Sequence, residues 1–143
     1  MYSWIVRQAL RRLETQLGNG EVDKLMAAYG DDAVMVFPGD NSWGGEYRGK
    51  AAIRAWLERF VALKPTFVLG EAGVAGPPWN MRIFFRFSDR IVAPDGFEYR
   101  NAGMEYVHMR FGKIVEHRVH LDTQKVAELD RHLEAGQAAT AAA

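Results

Sequence analysis

The strongest constraint on the fold is the second half of the chain, where long runs of β-forming residues alternate with short turns. Pro65 ends a helical pattern, and glycine or proline turns at 76–78, 94–96 and 112 divide the rest of the chain. These residues interrupt strands because glycine adopts positive φ without strain and proline lacks an N–H donor. The strands predicted between the turns are 66–76, 81–93, 97–111 and 113–121. Since short turns join antiparallel neighbours, we expect an antiparallel sheet.

The first half of the chain has helical spacing instead. Val6, Leu10, Leu13 and Leu17 follow one face of a first helix. A short second helix up to Tyr29, a buried strand at 33–37, a helix from Lys50 to about Leu63 and a last helix capped by Asp122 complete the pattern. This order predicts an α+β fold with helices on one face of a curved sheet.

Length and composition bound the class of protein. A chain of 143 residues predicts a single α+β domain over 1–136, with an alanine-rich tail at 137–143 that buries nothing and frays. Because 18 basic residues balance 18 acidic ones, we expect no nucleic-acid partner. The lack of cysteine excludes disulfides, zinc thiolate sites and thiol nucleophiles. With no apolar leader and no run of 18 apolar residues, we expect a cytoplasmic protein without a membrane partner.

A curved sheet wrapped around helices leaves a cavity, and strand alternation predicts which side chains face it. The polar and small residues predicted to point inward are Arg86, Ser88, Asn101, Glu105, His117 and Val119. The apolar wall is predicted to contain Tyr29, Met35, Phe37, Trp43 and Trp56.

Polar groups buried in an apolar cavity must pair with one another, with water or with a ligand. Arg86, Glu105 and His117 are therefore candidate catalytic residues, with Glu105 and His117 shuttling protons and Arg86 polarising an oxygen. The alternative is a structural ion pair between Arg86 and Glu105, with His117 bonded only to a backbone carbonyl.

Other apparent motifs predict no cofactor and no metal. Residues 44–51 approach a phosphate-binding loop, but Ala51 lacks the hydroxyl that would bind magnesium. His117 and His120, three apart on a strand, point to opposite faces and cannot share an ion. His108, His120 and Asp122 remain a metal-site alternative across paired strands.

The opposite face of the sheet also has a predicted role. Phe85, Phe87, Met104 and Tyr106 are predicted to share one face. If they lie on the convex side, four large apolar groups are exposed together, and a homodimer through the sheet is expected.

Three stretches carry a family resemblance. Segments 20–34, 47–53 (YRGKAAI) and 112–118 (GKIVEHR) resemble, in this order and spacing, the SnoaL-like branch of the nuclear transport factor 2-like superfamily. The resemblance implies a cone-shaped α+β barrel, a mostly antiparallel sheet around N-terminal helices with a C-terminal helix, that dimerises through its sheet and holds a deep pocket. Because polyketide cyclases, ketosteroid isomerases and limonene epoxide hydrolases share this fold, it does not imply one reaction.

The family's active sites transfer poorly onto this sequence. The cyclase aspartate falls on Val119, and the epoxide hydrolase arginine and two aspartates fall on Arg86, Ser88 and Val119. The ketosteroid isomerase base and tyrosine fall on Phe37 and Leu13. Only Arg86 retains the required chemistry.

We therefore expect a protein that binds a small apolar organic molecule of polyketide, terpenoid or steroid size. If it is an enzyme, its chemistry is acid–base catalysis without a cofactor, of isomerase, cyclase, dehydratase or hydrolase type. Two alternatives stay open, a non-catalytic binding or carrier protein and a dimeric interaction module.

Overall fold

A computed structural model describes residues 2–142, apart from the side chains of residues 2, 3, 139, 140 and 142. The elements in chain order are α1 Tyr2–Gly18, α2 Val22–Met26, β1 Tyr29–Phe37, β2 Gly45–Arg48, α3 Lys50–Val61, β3 Thr66–Ala75, β4 Asn80–Val92, β5 Glu98–Arg110, β6 Lys113–Leu121 and α4 Thr123–Ala142. The predicted α+β class is confirmed. No helix within residues 2–142 combines the length and the apolar character needed to cross a membrane.

The described strands form one curved sheet with the order β2-β1-β6-β5-β4-β3. Neighbours in it are antiparallel except β1 and β6, which are parallel. The four strands predicted in the second half correspond to β3 to β6, with ends that differ by one residue or less. The sequence analysis missed β2, because four residues at the edge of a sheet leave too little alternation to distinguish them from a loop.

The first strand begins earlier than predicted. Tyr29 was expected on the second helix, but α2 ends at Met26 and β1 starts at Tyr29. The pairing of β1 with β6 shifts between Tyr29 and Val34, so this stretch bulges out of regular register. A bulge redirects a side chain, and Tyr29 is buried beneath the sheet's inner face.

Strand register decides which side chains point toward the helices. Phe85 on β4 pairs with Glu105 on β5, and Arg86 pairs with Met104. Because directly opposite residues share a face, Phe85 and Glu105 both point inward.

Two predictions about facing are therefore wrong. Arg86 and Ser88 are exposed on the outer face, and Phe85 and Phe87 are buried on the inner one. The predicted four-residue convex patch does not form, because its β4 members lie one residue out of phase with Met104 and Tyr106. A shift of one residue moves a whole strand's side chains to the other face.

The helices close the inner face. Val6 and Leu10 of α1 pack against Ile83, Phe85 and Val107 of the sheet. Asp122 caps α4 by accepting hydrogen bonds from the N–H groups of Gln124 and Lys125, as predicted. The helix continues to Ala142, so residues 137–142 of the predicted tail are helical, and residue 143 lies outside the described residues.

Candidate functional site

A cavity of about 210 Å³ lies between the helices and the inner face of the sheet. Its walls are mainly apolar, and their aromatic members include Phe37, Trp43, Trp56, Phe60, Phe67, Phe85 and Phe87. Apart from the two indoles, side chains with polar nitrogen or oxygen atoms are few, and those that line it are Gln16, Tyr29, Asp89, Tyr99, Glu105 and His117. An apolar cavity with a few convergent polar groups is typical of a small-molecule site.

The structure brings most of the predicted site residues to this cavity. Those that line it are Tyr29, Phe37, Trp43, Trp56, Glu105, His117 and Val119. Met35 and Asn101 are buried, but neither belongs to the described lining. Arg86 and Ser88 lie outside, so the predicted network of Arg86, Glu105 and His117 does not form, and neither does the alternative Arg86–Glu105 ion pair.

Three of the polar groups form a hydrogen-bonded row. The Tyr29 hydroxyl lies 2.8 Å from Nδ1 of His117, and Nε2 of the same ring lies 3.1 Å from Oε1 of Glu105. Register explains the second contact, because His117 pairs with Val107 and Glu105 pairs with Val119, which makes His117 and Glu105 diagonal neighbours across β5 and β6. The bulge in β1 supplies the first contact, since it places Tyr29 against the same ring.

The row has a defined direction of donation when Glu105 is a carboxylate. A carboxylate only accepts, so Nε2 of His117 carries the hydrogen, and in the neutral imidazole Nδ1 accepts from the Tyr29 hydroxyl. Burial raises the pKa of Tyr29 above its ordinary value, and the nearby charge of Glu105 acts in the same direction. Tyr29 is therefore a neutral phenol whose hydroxyl donates to the imidazole.

Asp89 is a functional candidate that the sequence reasoning missed. It lies on β4 between Phe87 and Ile91, is only 7% exposed, and lines the cavity. Its Oδ1 is the one buried side-chain oxygen or nitrogen within the described residues that has no hydrogen-bond partner. Burial raises the pKa of this carboxyl to about 7, and Glu105 adds to the rise, while the N–H of Asp89 opposes it.

The residue opposite Asp89 has no donor to offer it. Asn101 pairs with Asp89 across β4 and β5. Its amide nitrogen donates to the Tyr99 hydroxyl and to the Asp122 carbonyl, both at 2.9 Å. Its oxygen accepts from the N–H groups of Ala102 and Asp122. Because an amide nitrogen carries two hydrogens, Asn101 is fully engaged.

One wall of the cavity is held by a second aspartate. Asp130 of α4 accepts hydrogen bonds from Ser42 N at 2.6 Å, Ser42 Oγ at 2.8 Å and Trp43 Nε1 at 2.9 Å. Arg59 of α3 donates to Ser42 O and Oγ and lies 3.9 Å over the Trp43 ring. We call Ser42, Trp43, Arg59 and Asp130 the clasp, and it fixes the indole of Trp43 as part of the cavity wall.

The described residues contain no group of three or more histidine and acidic side chains that could hold a metal ion. His120, a member of the alternative metal set, is exposed on the outer face of β6, whereas Asp122 is engaged at the start of α4. That alternative therefore has no geometric support within residues 2–142.

Comparison with known protein families gives one match. The family described as SnoaL-like domain matches residues 10–117 of this chain. A comparison with curated proteins gave no match.

Solved structures with the same fold are numerous and distant in sequence. An NTF2-like protein of unknown function from Burkholderia pseudomallei is 20% identical, with a TM-score of 0.71 over 89% of this chain and 95% of its own. The epoxide hydrolase/cyclase-like enzyme SalBIII, described in pyran ring formation in the polyether salinomycin, is 17% identical, with a TM-score of 0.70 over 87% of this chain and 97% of its own. TerC, co-crystallised with polyporic acid, is 16% identical, with a TM-score of 0.69 over 89% and 96%. At these identities the likeness shows the fold alone.

Proposed function

This chain belongs to the SnoaL-like family, and from that premise we propose that it binds a small apolar organic molecule in the inner cavity and transfers protons on it without a cofactor. The observation that carries the proposal is the row formed by Tyr29, His117 and Glu105 on a mainly apolar wall. Hydrogen-bonded acid and base groups that line a mainly apolar cavity are what proton transfer to a bound molecule requires.

The row can move a proton in two linked steps. The Tyr29 oxygen takes a proton from the bound molecule while its own proton passes to Nδ1 of His117. The imidazolium formed in this way is stabilised by Glu105, which accepts from Nε2. Reversal of the same path returns a proton to a different atom of the molecule, which is an isomerisation or enolisation.

The volume of the cavity limits the size of the ligand that it can hold. An engineered apolar cavity of about 150 Å³ holds benzene, so about 210 Å³ suits a molecule of roughly two rings. This falls at the small end of the polyketide, terpenoid and steroid range predicted from the sequence. The co-crystallisation of TerC with polyporic acid and the role of SalBIII in pyran ring formation support a small organic ligand as a class.

The proposal is tested with 2-tetralone, a neutral two-ring ketone with an exchangeable α-proton. We expect the protein to accelerate exchange of that proton with heavy water, followed by proton NMR, by about 10²- to 10⁴-fold. Tyr29→Phe removes the hydroxyl and keeps the ring, and His117→Gln breaks both contacts of the row. Each variant should bring the rate close to that of buffer.

A matched histidine serves as the control. His120 lies on the same strand, exposed on the outer face, so His120→Gln should exchange at the wild-type rate. Circular dichroism and thermal melts verify that all variants are folded. Equal rates for wild type and Tyr29→Phe would remove the proton-transfer proposal.

A carrier without catalysis is the second candidate. Val119 and Phe37 line the cavity at the positions where the family resemblance places a cyclase aspartate and an isomerase base. A protein that binds 2-tetralone and does not exchange its proton would belong to this class.

We also propose that the protein is a homodimer through the outer face of the sheet. Phe84 and Met104 are 41% and 50% exposed there, and the Phe84 ring lies 5.4 Å from that of Tyr106. This patch is smaller than the one predicted from the sequence, and solution mass tests it.

A further inference from the structure

Asp89, which lines the cavity, holds an acceptor without a partner. Oδ1 is buried without a hydrogen-bond partner in the described part of the chain. The residue paired with it, Asn101, donates its two amide hydrogens to the Tyr99 hydroxyl and the Asp122 carbonyl. A buried polar atom without a partner costs free energy, and native structures retain few of them. A bound molecule that donates one hydrogen bond removes that cost.

The charge of the cavity limits which molecules can enter. Two carboxyl groups, those of Asp89 and Glu105, line it, and no lysine or arginine belongs to its described lining. An anionic ligand would meet like charge with no cation to offset it. Carboxylates, phosphates and sulfates are therefore poor ligands.

Two kinds of hydrogen-bond donor remain for the ligand, an ammonium group and a hydroxyl group, and they differ in their number of donor hydrogens. An ammonium group has three donor hydrogens, whereas a hydroxyl has one. Oδ1 of Asp89 is the one fully buried side-chain acceptor without a partner in the described residues, and the lining beside it is apolar at Phe87 and Ile91. An ammonium would leave hydrogens unpaired in that setting, while one hydroxyl matches one free acceptor.

We infer that the ligand is a neutral molecule of about two rings that carries a hydroxyl group, and that Asp89 Oδ1 accepts the hydrogen bond of this hydroxyl. The inference rests on the proposed function for the cavity and adds the functional group that the cavity selects. The hydroxyl also suits either state of Asp89, because it donates to the carboxylate and accepts from the acid.

Three probes with the same rings test the inference by isothermal titration calorimetry at about pH 8, where the carboxylate form prevails. They are 2-naphthol, 2-methoxynaphthalene, which lacks the donor, and the anion 2-naphthoate. We expect 2-naphthol to bind at least tenfold more tightly than 2-methoxynaphthalene, and no binding of 2-naphthoate.

Variants assign the preference to Asp89. Asp89→Leu keeps the branched shape of the side chain and removes the acceptor, so the two neutral probes should bind equally and 2-naphthoate should be less strongly rejected. Ser88→Ala, at the adjacent outward position, should keep the wild-type preference.

The outcomes separate this inference from the proposal on which it rests. Equal binding of the two neutral probes by wild type, or an undiminished preference in Asp89→Leu, would overturn the role of Asp89 and leave the cavity as a binding site. Failure of both neutral probes to bind would overturn the binding proposal itself, and this inference with it.

Discussion

Two aspartates beside the same cavity have opposite environments. Asp130, in the clasp, accepts three hydrogen bonds from Ser42 and Trp43 and holds a wall in place. Asp89, on the floor formed by β4, has an oxygen with no partner. A carboxylate with several donors stabilises the fold, whereas a buried one without them destabilises it. The comparison separates a part of the site that stabilises the fold from a part that lowers its stability.

The largest effect is expected when the satisfied aspartate is removed. Asp130→Ala leaves Trp43 Nε1 without its acceptor while the Trp43 side chain is buried. We expect a loss of about 2–3 kcal/mol in the free energy of unfolding, measured by urea titration. Asp32→Ala, at an exposed position on β1, is the matched control and should change it by less than about 0.5 kcal/mol. If the two variants lose equally little, the clasp does not stabilise the wall.

Substitution of Asp89 should increase the free energy of unfolding, whereas substitution of Asp130 decreases it. The increase should also depend on pH. The folded pKa of Asp89, about 7, lies above the unfolded value near 3.9, so the folded protein binds the proton more tightly. This contribution to stability is complete below about pH 4 and is lost as pH rises through about 7. The asparagine in Asp89→Asn does not titrate, so this variant does not lose stability in that pH range.

We therefore expect Asp89→Asn to be more stable than wild type by about 2 kcal/mol at pH 8, and the difference to shrink toward pH 4. Urea titrations across this range measure it, with Asp32→Asn as the exposed control. Glu105, Tyr29, His117 and Tyr99 line the cavity with Asp89, and Glu105→Gln should reduce the difference, because Glu105 contributes to the raised pKa. If the difference in free energy of unfolding between Asp89→Asn and wild type stays constant with pH, the pKa of Asp89 is not raised in the folded protein.

The fold could be predicted from the sequence because its signals are local. Glycine and proline turns locate β3 to β6, and the spacing of Val6, Leu10 and Leu17 identifies α1. The short edge strand β2 and the bulged start of β1 were not predicted, because both depend on pairing with other strands rather than on a local signal.

The site was predicted in part, and its errors have one cause. Glu105 and His117 were placed inward correctly from alternation on β5 and β6. On β4 the polar residues Arg86 and Ser88 were assigned to the cavity, although the apolar alternation of Ile83, Phe85 and Phe87 marks the buried face. Continuing that alternation by one step reaches Asp89. An acidic residue in phase with an apolar stripe was the available signal.

The smallest change in the free energy of unfolding is expected at Arg59, on the exposed side of the clasp. It tests whether the clasp needs this cation in addition to Asp130. Arg59→Met removes two hydrogen bonds to Ser42 and the cation above Trp43. We expect a loss of about 1 kcal/mol in the free energy of unfolding, because solvent weakens a cation–π contact at an exposed site. Arg54→Met on the same helix removes only exposed ion pairs with Asp23 and Glu58 and should lose less.

The indole N–H resonance of Trp43 reports the clasp directly. If Asp130 alone fixes the ring, this resonance keeps its position in Arg59→Met and moves in Asp130→Ala, since the N–H donates to Asp130. Movement in both variants would show that the wall needs the cation as well as the carboxylate. In that case an ion network spanning α3 and α4 stabilises the wall, whereas Asp89 still has a buried oxygen without a hydrogen-bond partner among the described residues.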